Sequence, residues 1–244
     1  MWNLLEPEWR PAGRDALEVF LLGLADLDSV LALQLRLGAE LEGCDDRRGM
    51  LLICEHPPVI TIGRAGSRTH VGLTPGELAA RELEVRWTNR GGGAVLHAPG
   101  QVAVYPVVPV DRLGLGVAAF RDRLLESVVA ACGEQRVTAE VRPEWGAVMG
   151  RSGQLAQVGV GVRRGVTRHG LFLNVQISPE WLELVESGLG RQSSLARERQ
   201  GHVSPGSVRE ALIRQLAERL GYPAPHVQTG HPWFRRVRRE VNCA

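Results

Sequence analysis

The sequence predicts a single α/β domain over residues 1–225, followed by a basic C-terminal tail over residues 226–244. A chain of 244 residues can bury a sizeable core. Hydrophobic residues make up 44% and charged residues 23%, which is ordinary globular usage. Segments with helical spacing of apolar residues also alternate with short β-rich segments. These three observations exclude a disordered or fibrous chain.

The first half of the chain predicts two helices and a series of strands. Apolar residues recur at helical spacing over residues 27–43, behind a cap at Asp26 or Asp28. Thr74, Pro75 and Glu77 have the spacing of a capping box with proline at the first helical position. Strands are predicted over residues 50–54, 59–62, 84–88, 94–97 and 102–108.

The second half predicts a helix, a meander of strands and a last helix. The first helix covers residues 117–131 and should end at Gly133 in a left-handed cap. The last helix covers residues 205–220, between Ser204 and Gly221. Strands are predicted over residues 137–141, 146–149, 155–162 and 165–175.

Charge and cysteine usage exclude several classes of protein. The formal net charge of +2 does not indicate a nucleic-acid coat, and all 29 positive side chains are arginine, so no mechanism can use a lysine of this chain. The four cysteines form no CxxC pair and no cluster with metal spacing, so no metal site is expected. Without a signal peptide or a long apolar run, the sequence predicts a cytoplasmic protein that does not contact the membrane.

A glycine run that begins at Arg90 is the first candidate site, within RGGGAVLHAPGQ over residues 90–101. Gly91, Gly92 and Gly93 leave a stretch of bare backbone against which a ligand chain can lie. The spacing fits neither a phosphate-binding loop nor a dinucleotide fingerprint. A hairpin turn explains the same glycines, so both interpretations stay open.

A glycine-valine strand over residues 157–162 is the second candidate. Val158 falls on one face of this strand, whereas Gln157 and Gly159 fall on the other. The glycine face can receive a flat ligand, and tight sheet packing or a bulge accounts for it equally well.

The third candidate is an apolar segment over residues 168–175 that includes His169 and Asn174. On their own, such residues are more often hydrogen-bonded core residues than catalysts. Only the combination of motifs indicates a function.

Together, the three motifs resemble the octanoyltransferases of lipoate synthesis, which are relatives of lipoate and biotin protein ligases. The resemblance covers about residues 55–188 and ends in a small-residue-glycine element at Ser187 and Gly188. It implies a biotin/lipoate protein ligase-like catalytic domain, with a mixed central sheet flanked by helices and a tunnel for a medium-length acyl chain.

The resemblance also implies the activity and the residues of the site. In that family, octanoate moves from acyl carrier protein to a lysine on a lipoyl carrier domain, here of a 2-oxo-acid dehydrogenase or a glycine cleavage H-type protein. Octanoyl-acyl carrier protein is the acyl donor, no further cofactor is expected, and the chain is expected to be a monomer. By matched position, the substrate-binding residues are Arg90, Gly91, Gly92, Gly93, Ala94, Val95, Leu96, His97, Gln157, Val158, Gly159, Gly170, Leu171, Phe172 and Asn174. His97, His169 and Asn174 would organise the polar end.

The chain departs from the family at both catalytic positions. In the family, a cysteine attacks the octanoyl thioester, and a lysine lowers the pKa of that thiol. Here Ser187 and Gln154 occupy the matching positions, and Glu186 replaces the usual proline. Because a neighbouring negative charge disfavours an anionic nucleophile, the triple change indicates that the thiolate mechanism has been abandoned.

Three routes stay open. Ser187 can act as nucleophile with His169 or His97 as general base. The carrier-domain lysine can instead attack the bound thioester directly, with the glycine-rich backbone stabilising the oxyanion. In the third route the protein is a catalytically inactive paralogue that binds an acyl group, acyl carrier protein or lipoyl domain.

The end of the chain, residues 231–239, combines four arginines with two aromatic residues. It is either a solvated tail or a docking strip for an acidic carrier protein.

Overall fold

The computed structural model describes residues 12–185 and 190–234 of the chain. The helices are Leu27–Glu42 (α1), Pro75–Ala80 (α2), Val117–Glu134 (α3), Pro179–Leu182 (α4), Leu195–Arg199 (α5) and Pro205–Leu220 (α6). The strands are Leu17–Leu24 (β1), Gly49–Glu55 (β2), Val59–Ile62 (β3), Glu84–Trp87 (β4), Ala94–His97 (β5), Gln101–Val107 (β6), Glu140–Arg142 (β7), Ala147–Met149 (β8), Gln154–Arg163 (β9), Val166–Asn174 (β10) and Pro225–Thr229 (β11).

The strands form one large sheet and one small sheet. The large sheet has eight strands in the order β11-β1-β2-β6-β10-β9-β8-β7. Its first three strands are parallel, and the remaining pairs are antiparallel. In the small sheet, β3 lies between β4, to which it is parallel, and β5, to which it is antiparallel. This mixed α/β architecture confirms the predicted fold class.

Helices cover both faces of the large sheet. On one face, α3 and α6 pack against each other and against the central strands, in the larger hydrophobic core. On the other face, α1 packs on β6 and β10, and the small sheet lies beside it through Val95 of β5. Because both faces are covered, β2 and β6 are buried almost throughout and read as continuous apolar runs. The candidate site lies between the two sheets.

The predicted helices are present, with one correction at the end of α3. The helix continues through Gly133, and the left-handed residue is Arg136, with a φ of 60°. The amide of Val137 donates to the Cys132 carbonyl at 3.0 Å, and the amide of Arg136 donates to the Gly133 carbonyl at 2.9 Å. This is a Schellman cap that also buries the Val137 side chain, so packing overrides the preference for glycine at the left-handed position.

The sequence interpretation missed the two strands at one edge of the large sheet, β1 and β11. Strand β11 crosses the boundary predicted between residues 225 and 226, so the fold continues into the segment expected to be a tail. Beyond it, the His231 ring packs edge-on against Phe20, with 4.5 Å between the ring centroids. The Arg36 guanidinium lies 3.8 Å from the centre of the Trp233 ring. Residues 235–239, with the four arginines of the predicted docking strip, lie outside the described residues.

Candidate active site

A small cavity between the two sheets brings together the polar residues of several predicted motifs. Its walls come from β5, β6, β9 and β10, with α4 and the segment after residue 190 along one side. The lining residues are Val95, Leu96, Gln101, Gln154, Ala156, Gln157, Phe172, Asn174, Trp181, Leu182, Val185 and Gln192. The cavity volume is about 20 Å³, room for a single water molecule.

Six of the residues predicted from the sequence meet in this wall. They are Val95, Leu96, Gln154, Gln157, Phe172 and Asn174. Sequence reasoning missed the side formed by α4, which carries Trp181 and Leu182. A signal for this helix exists in the sequence, because Ser178 and Pro179 occupy its cap and first position.

Behind the cavity, a buried hydrogen-bond chain begins at Arg90. The Arg90 guanidinium is 1% exposed and donates through Nη2 to the Thr61 hydroxyl at 2.8 Å and to the Thr61 carbonyl at 2.9 Å. The Thr61 Oγ1 lies 2.9 Å from Nε2 of His97. Since Arg90 already donates to this hydroxyl, the hydroxyl proton points to His97, whose Nε2 accepts it. Burial lowers the pKa of Arg90 to about 10.

The same chain continues from His97 to the cavity wall. His97 Nδ1 lies 2.8 Å from Gln101 Oε1, and Gln101 Nε2 donates to Asn174 Oδ1 at 2.9 Å. Asn174 Nδ2 then donates to the Ser193 carbonyl at 3.0 Å and to Gln192 Oε1 at 3.4 Å. Because the Gln101 amide nitrogen donates to Asn174, the Gln101 oxygen faces His97 and accepts a hydrogen bond from Nδ1. His97 is therefore the neutral tautomer with its proton on Nδ1. Burial, together with His56 and Arg90, holds the pKa of His97 well below its usual range.

Gln154 has an unpartnered acceptor in the cavity wall. Gln157 Nε2 donates to the carbonyls of Trp145 at 2.9 Å and Gly146 at 3.2 Å, so its Oε1 must point to Gln154. Gln154 Nε2 donates to this oxygen at 2.9 Å and to the Ala156 carbonyl at 3.2 Å. Gln154 Oε1 therefore faces away from these bonds, and it is buried without a hydrogen-bond partner among the described residues. Such an oxygen has lost its water without gaining a donor, at a cost of about 1–3 kcal/mol.

The glycine run packs against the chain's own strand rather than forming an open cradle. Its carbonyls accept from the backbone of residues 63–65, at 3.0–3.1 Å. A Cβ on Gly159 would stand 2.4 Å from the Gly91 carbonyl oxygen, so the glycine face of β9 serves this close approach. Gly92 has a φ of 80°, which favours glycine, and a Cβ there would lie 2.8 Å from Gln157 Nε2.

Other predicted binding residues lie outside the cavity wall. Val158 and Leu171 face each other across β9 and β10 and belong to the core on the side of α3 and α6. Ala94 packs within the small sheet. A Cβ on Gly170 would stand 1.9 Å from the Val104 carbonyl oxygen, so this glycine allows β6 to approach. The alternation of strand side chains accounts for the position of Val158 and Leu171, because Gln157 and Phe172 pair on the cavity side.

His169 lies far from Gln154. It pairs with Val160, six residues further along β9, which is a separation of about 20 Å at about 3.3 Å per residue. Its backbone is left-handed, with a φ of 59°, and its side chain lines a separate groove. Burial, with smaller effects of Arg90, Arg64 and Arg168, lowers the pKa of His169 to about 4.

Ser187 lies outside the described residues. The described chain on both sides of residues 186–189 reaches the cavity, because Val185 and Gln192 line it. The Gln154 amide donates to the Arg191 carbonyl at 2.9 Å, and the Ser193 amide donates to the Gln154 carbonyl at 2.8 Å.

No described cysteine lines the cavity. Cys44, Cys54 and Cys132 are free thiols, and burial raises the pKa of Cys132 to about 12 and that of Cys54 above its usual range. Within residues 12–185 and 190–234, no group of three or more His, Cys, Asp or Glu side chains is placed to hold a metal ion. None of the helices described is long and apolar enough to cross a membrane.

The fold defines the class of protein, a domain similar to lipoate protein ligases. A putative lipoate protein ligase from T. acidophilum, solved with bound lipoic acid, superposes with a TM-score of 0.70 at 17% identity, covering 89% of this chain and 91% of that one. A lipoate-protein ligase A bound with ATP gives a TM-score of 0.69 at 18% identity, covering 89% and 90%. At these identities the likeness shows the fold.

The sequence then gives the family. Residues 26–217 match the lipoyl protein ligase A/B catalytic domain, and the chain belongs to this family. An octanoyltransferase from Geotalea uraniireducens (strain Rf4) is 39% identical over 154 residues, 63% of this chain and 68% of the relative. One from Roseiflexus sp. (strain RS-1) is 32% identical over 223 residues, 89% and 92% of the two chains. The predicted family is confirmed, and by family the chain is an acyltransferase enzyme.

Proposed function

We propose that this chain transfers an octanoyl group from the thioester of an acyl carrier protein directly to the lysine amine of a lipoyl carrier domain. No covalent acyl-enzyme forms. The observation that carries the proposal is Gln154, a neutral amide with a free acceptor oxygen at the position where the resemblance implies a cationic lysine.

The surroundings of the cavity do not favour a covalent nucleophile. The polar wall consists of neutral amides, which provide no cation to lower the pKa of a thiol or hydroxyl. Both ring nitrogens of His97 are engaged, by Thr61 and Gln101. His169 is about 20 Å from Gln154 along the sheet. A serine hydroxyl at the cavity would therefore lack a general base among the described side chains.

An amine nucleophile needs a different partner. Its nitrogen attacks the thioester carbonyl carbon, the carbon–nitrogen bond forms and the carbon–sulfur bond breaks. The carrier thiolate leaves and takes the proton that the nitrogen loses, so thioester and amine become amide and thiol. Positive charge develops on the nitrogen during attack, and we expect the unpartnered Gln154 Oε1 to accept a hydrogen bond from one of its N–H groups. A hydrogen bond to a charged group is worth about 1.5–3 kcal/mol, or about a 10- to 100-fold effect on rate.

Acyl binding requires the cavity to open. The cavity volume of about 20 Å³ is several times too small, because a cavity of about 150 Å³ holds only benzene. We expect the opening to occur at α4, a helix of four residues that contributes Trp181 and Leu182 to the wall. We expect the acyl chain to displace this wall and to lie against Phe172.

Intact-mass analysis tests the proposal. The protein is mixed with octanoyl-acyl carrier protein, with and without a lipoyl domain. The expected result is an octanoylated lipoyl domain and no adduct on this chain, with the rate unchanged by Ser187→Ala and lowered about 10- to 100-fold by Gln154→Leu. Gln192→Leu is the matched control, because it removes an amide from the same wall whose oxygen already accepts from Asn174.

Two results would contradict direct transfer. An octanoyl adduct that disappears in Ser187→Ala would establish serine as the nucleophile. A lipoyl domain that stays unmodified while octanoate or carrier protein still binds would make the chain a binding protein without transfer.

A further inference from the structure

A second groove lies at the other end of β9 and β10, and we call it the His169 groove. Its volume is about 600 Å³. Its walls come from α1, the start of α3, the segment after β3, the end of β4 with the segment after it, and strands β9 and β10. The lining residues are Leu31, Gln34, Leu35, Arg64, Trp87, Thr88, Asn89, Val117, Val160, Gly161, Val162, Arg163, Arg168 and His169.

Positive charge in the His169 groove exceeds negative charge. Arg64, Arg163 and Arg168 line it, and no acidic side chain of the described residues does. Beside the groove, the Glu42 carboxylate lies 3.9 Å from Arg168 and 3.2 Å from Arg164. One carboxylate therefore serves two arginines.

The buried Arg90 adds to this field from behind the groove. Its guanidinium donates to neutral acceptors, the Thr61 hydroxyl and carbonyl and the Gly91 carbonyl. Its charge acts on the His169 ring, together with those of Arg64 and Arg168. A buried cation without a paired carboxylate favours a nearby anion.

His169 is held in place so that its ring borders the groove. Its left-handed backbone is fixed by Gln34, whose Oε1 accepts from the His169 amide at 2.9 Å and whose Nε2 donates to the His169 carbonyl at 3.0 Å. A non-glycine residue in this conformation stores strain that the surrounding structure must maintain. The neutral ring retains one N–H, which can donate to an anion.

The start of α3 supplies further donors. Its N-cap, Gly116, has no side chain to bond the first amides, and the first turn carries no acidic residue. Val117, the first residue of the helix, lines the groove. Uncapped amides and the positive end of the helix dipole add to the effect of the arginines.

The remaining wall is apolar and exposed. Trp87 is 66% exposed, and Leu35 and Val117 are each 48% exposed. They account for three of the large exposed hydrophobic side chains of the described chain, and all three line one groove. Exposed apolar surface concentrated in this way marks a binding site.

We propose that the His169 groove binds an amphiphilic anion, with its apolar chain against Trp87 and Leu35 and its carboxylate or phosphate held by the arginines and His169. The site is distinct from the cavity at Gln154, about 20 Å away along the sheet. The inference does not depend on acyl transfer.

Calorimetric titration of the full chain with four probes of similar apolar length tests the inference. Octanoate and octyl phosphate carry the anion, octanol is neutral and octylamine is cationic. Both anions are expected to bind at least tenfold more tightly than octanol and octylamine. The two anionic probes distinguish a carboxylate from a phosphate head group, and either one supports the site.

Substitutions assign the binding to the groove. Arg168→Gln and Trp87→Ala are each expected to weaken octanoate binding about tenfold. Arg199→Gln, an exposed arginine of α5 outside the groove, is the matched control and should leave the affinity unchanged.

Three results would overturn the inference. These are octanol binding as tightly as the two anions, octanoate binding that survives both groove substitutions, and no binding of either anion at millimolar concentration. If the Arg168 variant fails to fold, Arg163→Gln replaces it, because Arg163 also lines the groove and its exposed position makes a loss of folding unexpected.

Discussion

His56 should make this protein sensitive to mild acid. The residue is 1% exposed and connects the turn before α1 to strand β6. Its Nδ1 lies 2.7 Å from the Ala25 carbonyl, and its Nε2 lies 2.7 Å from the Tyr105 hydroxyl. The carbonyl can only accept, so the ring proton is on Nδ1 and Nε2 accepts from Tyr105. A second proton, on Nε2, would force the Tyr105 hydroxyl to become an acceptor and give up its bond to the ring, and burial lowers the pKa of His56 to about 4.

The magnitude follows from the two pKa values. The ordinary value is 6.5, and the folded value is about 4, so the unfolded chain binds this proton more readily. Stability contributed by a depressed histidine pKa is present above pH 6.5, is lost as pH falls and levels off below about pH 4. Between pH 7.5 and pH 5, His56 alone should lower the free energy of unfolding by about 2 kcal/mol. Carboxylates with lowered pKa values act mainly at lower pH.

Urea unfolding at pH 7.5, 6 and 5 measures this loss. His56→Gln should cost about 1–3 kcal/mol at pH 7.5, because Ala25 loses its donor. The loss of stability between pH 7.5 and 5 should be about 2 kcal/mol smaller in this variant, so the two proteins should differ less at pH 5 than at pH 7.5. His202→Gln, at an exposed position, is the control and should leave the pH dependence unchanged. The reasoning is refuted if His56→Gln and the unsubstituted protein lose the same stability over this range.

Two further predictions concern the cavity and its strand. The double substitution Gln154→Lys with Ser187→Cys should produce an octanoyl-thioester adduct that intact-mass analysis detects, because a cation beside a thiol favours the thiolate. A double variant that forms no adduct would show that the covalent route needs more than these two residues. Gly159→Ala should cost about 1–3 kcal/mol in urea unfolding, because its Cβ would stand 2.4 Å from the Gly91 carbonyl oxygen. Gly161→Ala, whose Cβ would meet its nearest atoms at 3.9 Å, is the matched control, and equal losses would contradict the packing argument.

Local patterns in the sequence were sufficient to predict most of the fold. The apolar periodicity of α1 and the capping box of α2 correspond to the observed helices, because both signals act within one or two turns. Strand β1 was missed because a strand that is buried between two parallel neighbours shows no alternation of apolar and polar residues. Strand β11 was missed because it is polar and lies at the sheet edge. Both depend on partners distant in the chain.

The site was less predictable, because the motifs did not reveal which face each side chain occupies. Phe172 and Leu171 are neighbours in one motif, yet only Phe172 reaches the cavity. The separation of His169 from Gln154 follows from the register of β9 and β10, which a sequence does not contain. The glycine run was recognised as a special backbone segment, but its contact is the glycine face of β9 rather than an open cradle.

The wall around Gln154 offers hydrogen-bond acceptors that could serve a cationic side chain, but the residue at this position is a neutral amide. Gln154 Nε2 donates to Gln157 Oε1 and to the Ala156 carbonyl, two oxygens that can also accept from an ammonium group. Gln157 is fixed in this orientation by carbonyls behind it, so the acceptors do not depend on the residue at position 154. Glutamine adds a buried oxygen without a hydrogen-bond partner among the described residues, whereas a lysine side chain has no acceptor at all. Compared with the lysine that the resemblance implies, Gln154 supplies a neutral acceptor instead of a cationic donor, and the proposed direct attack by an amine rests on this difference.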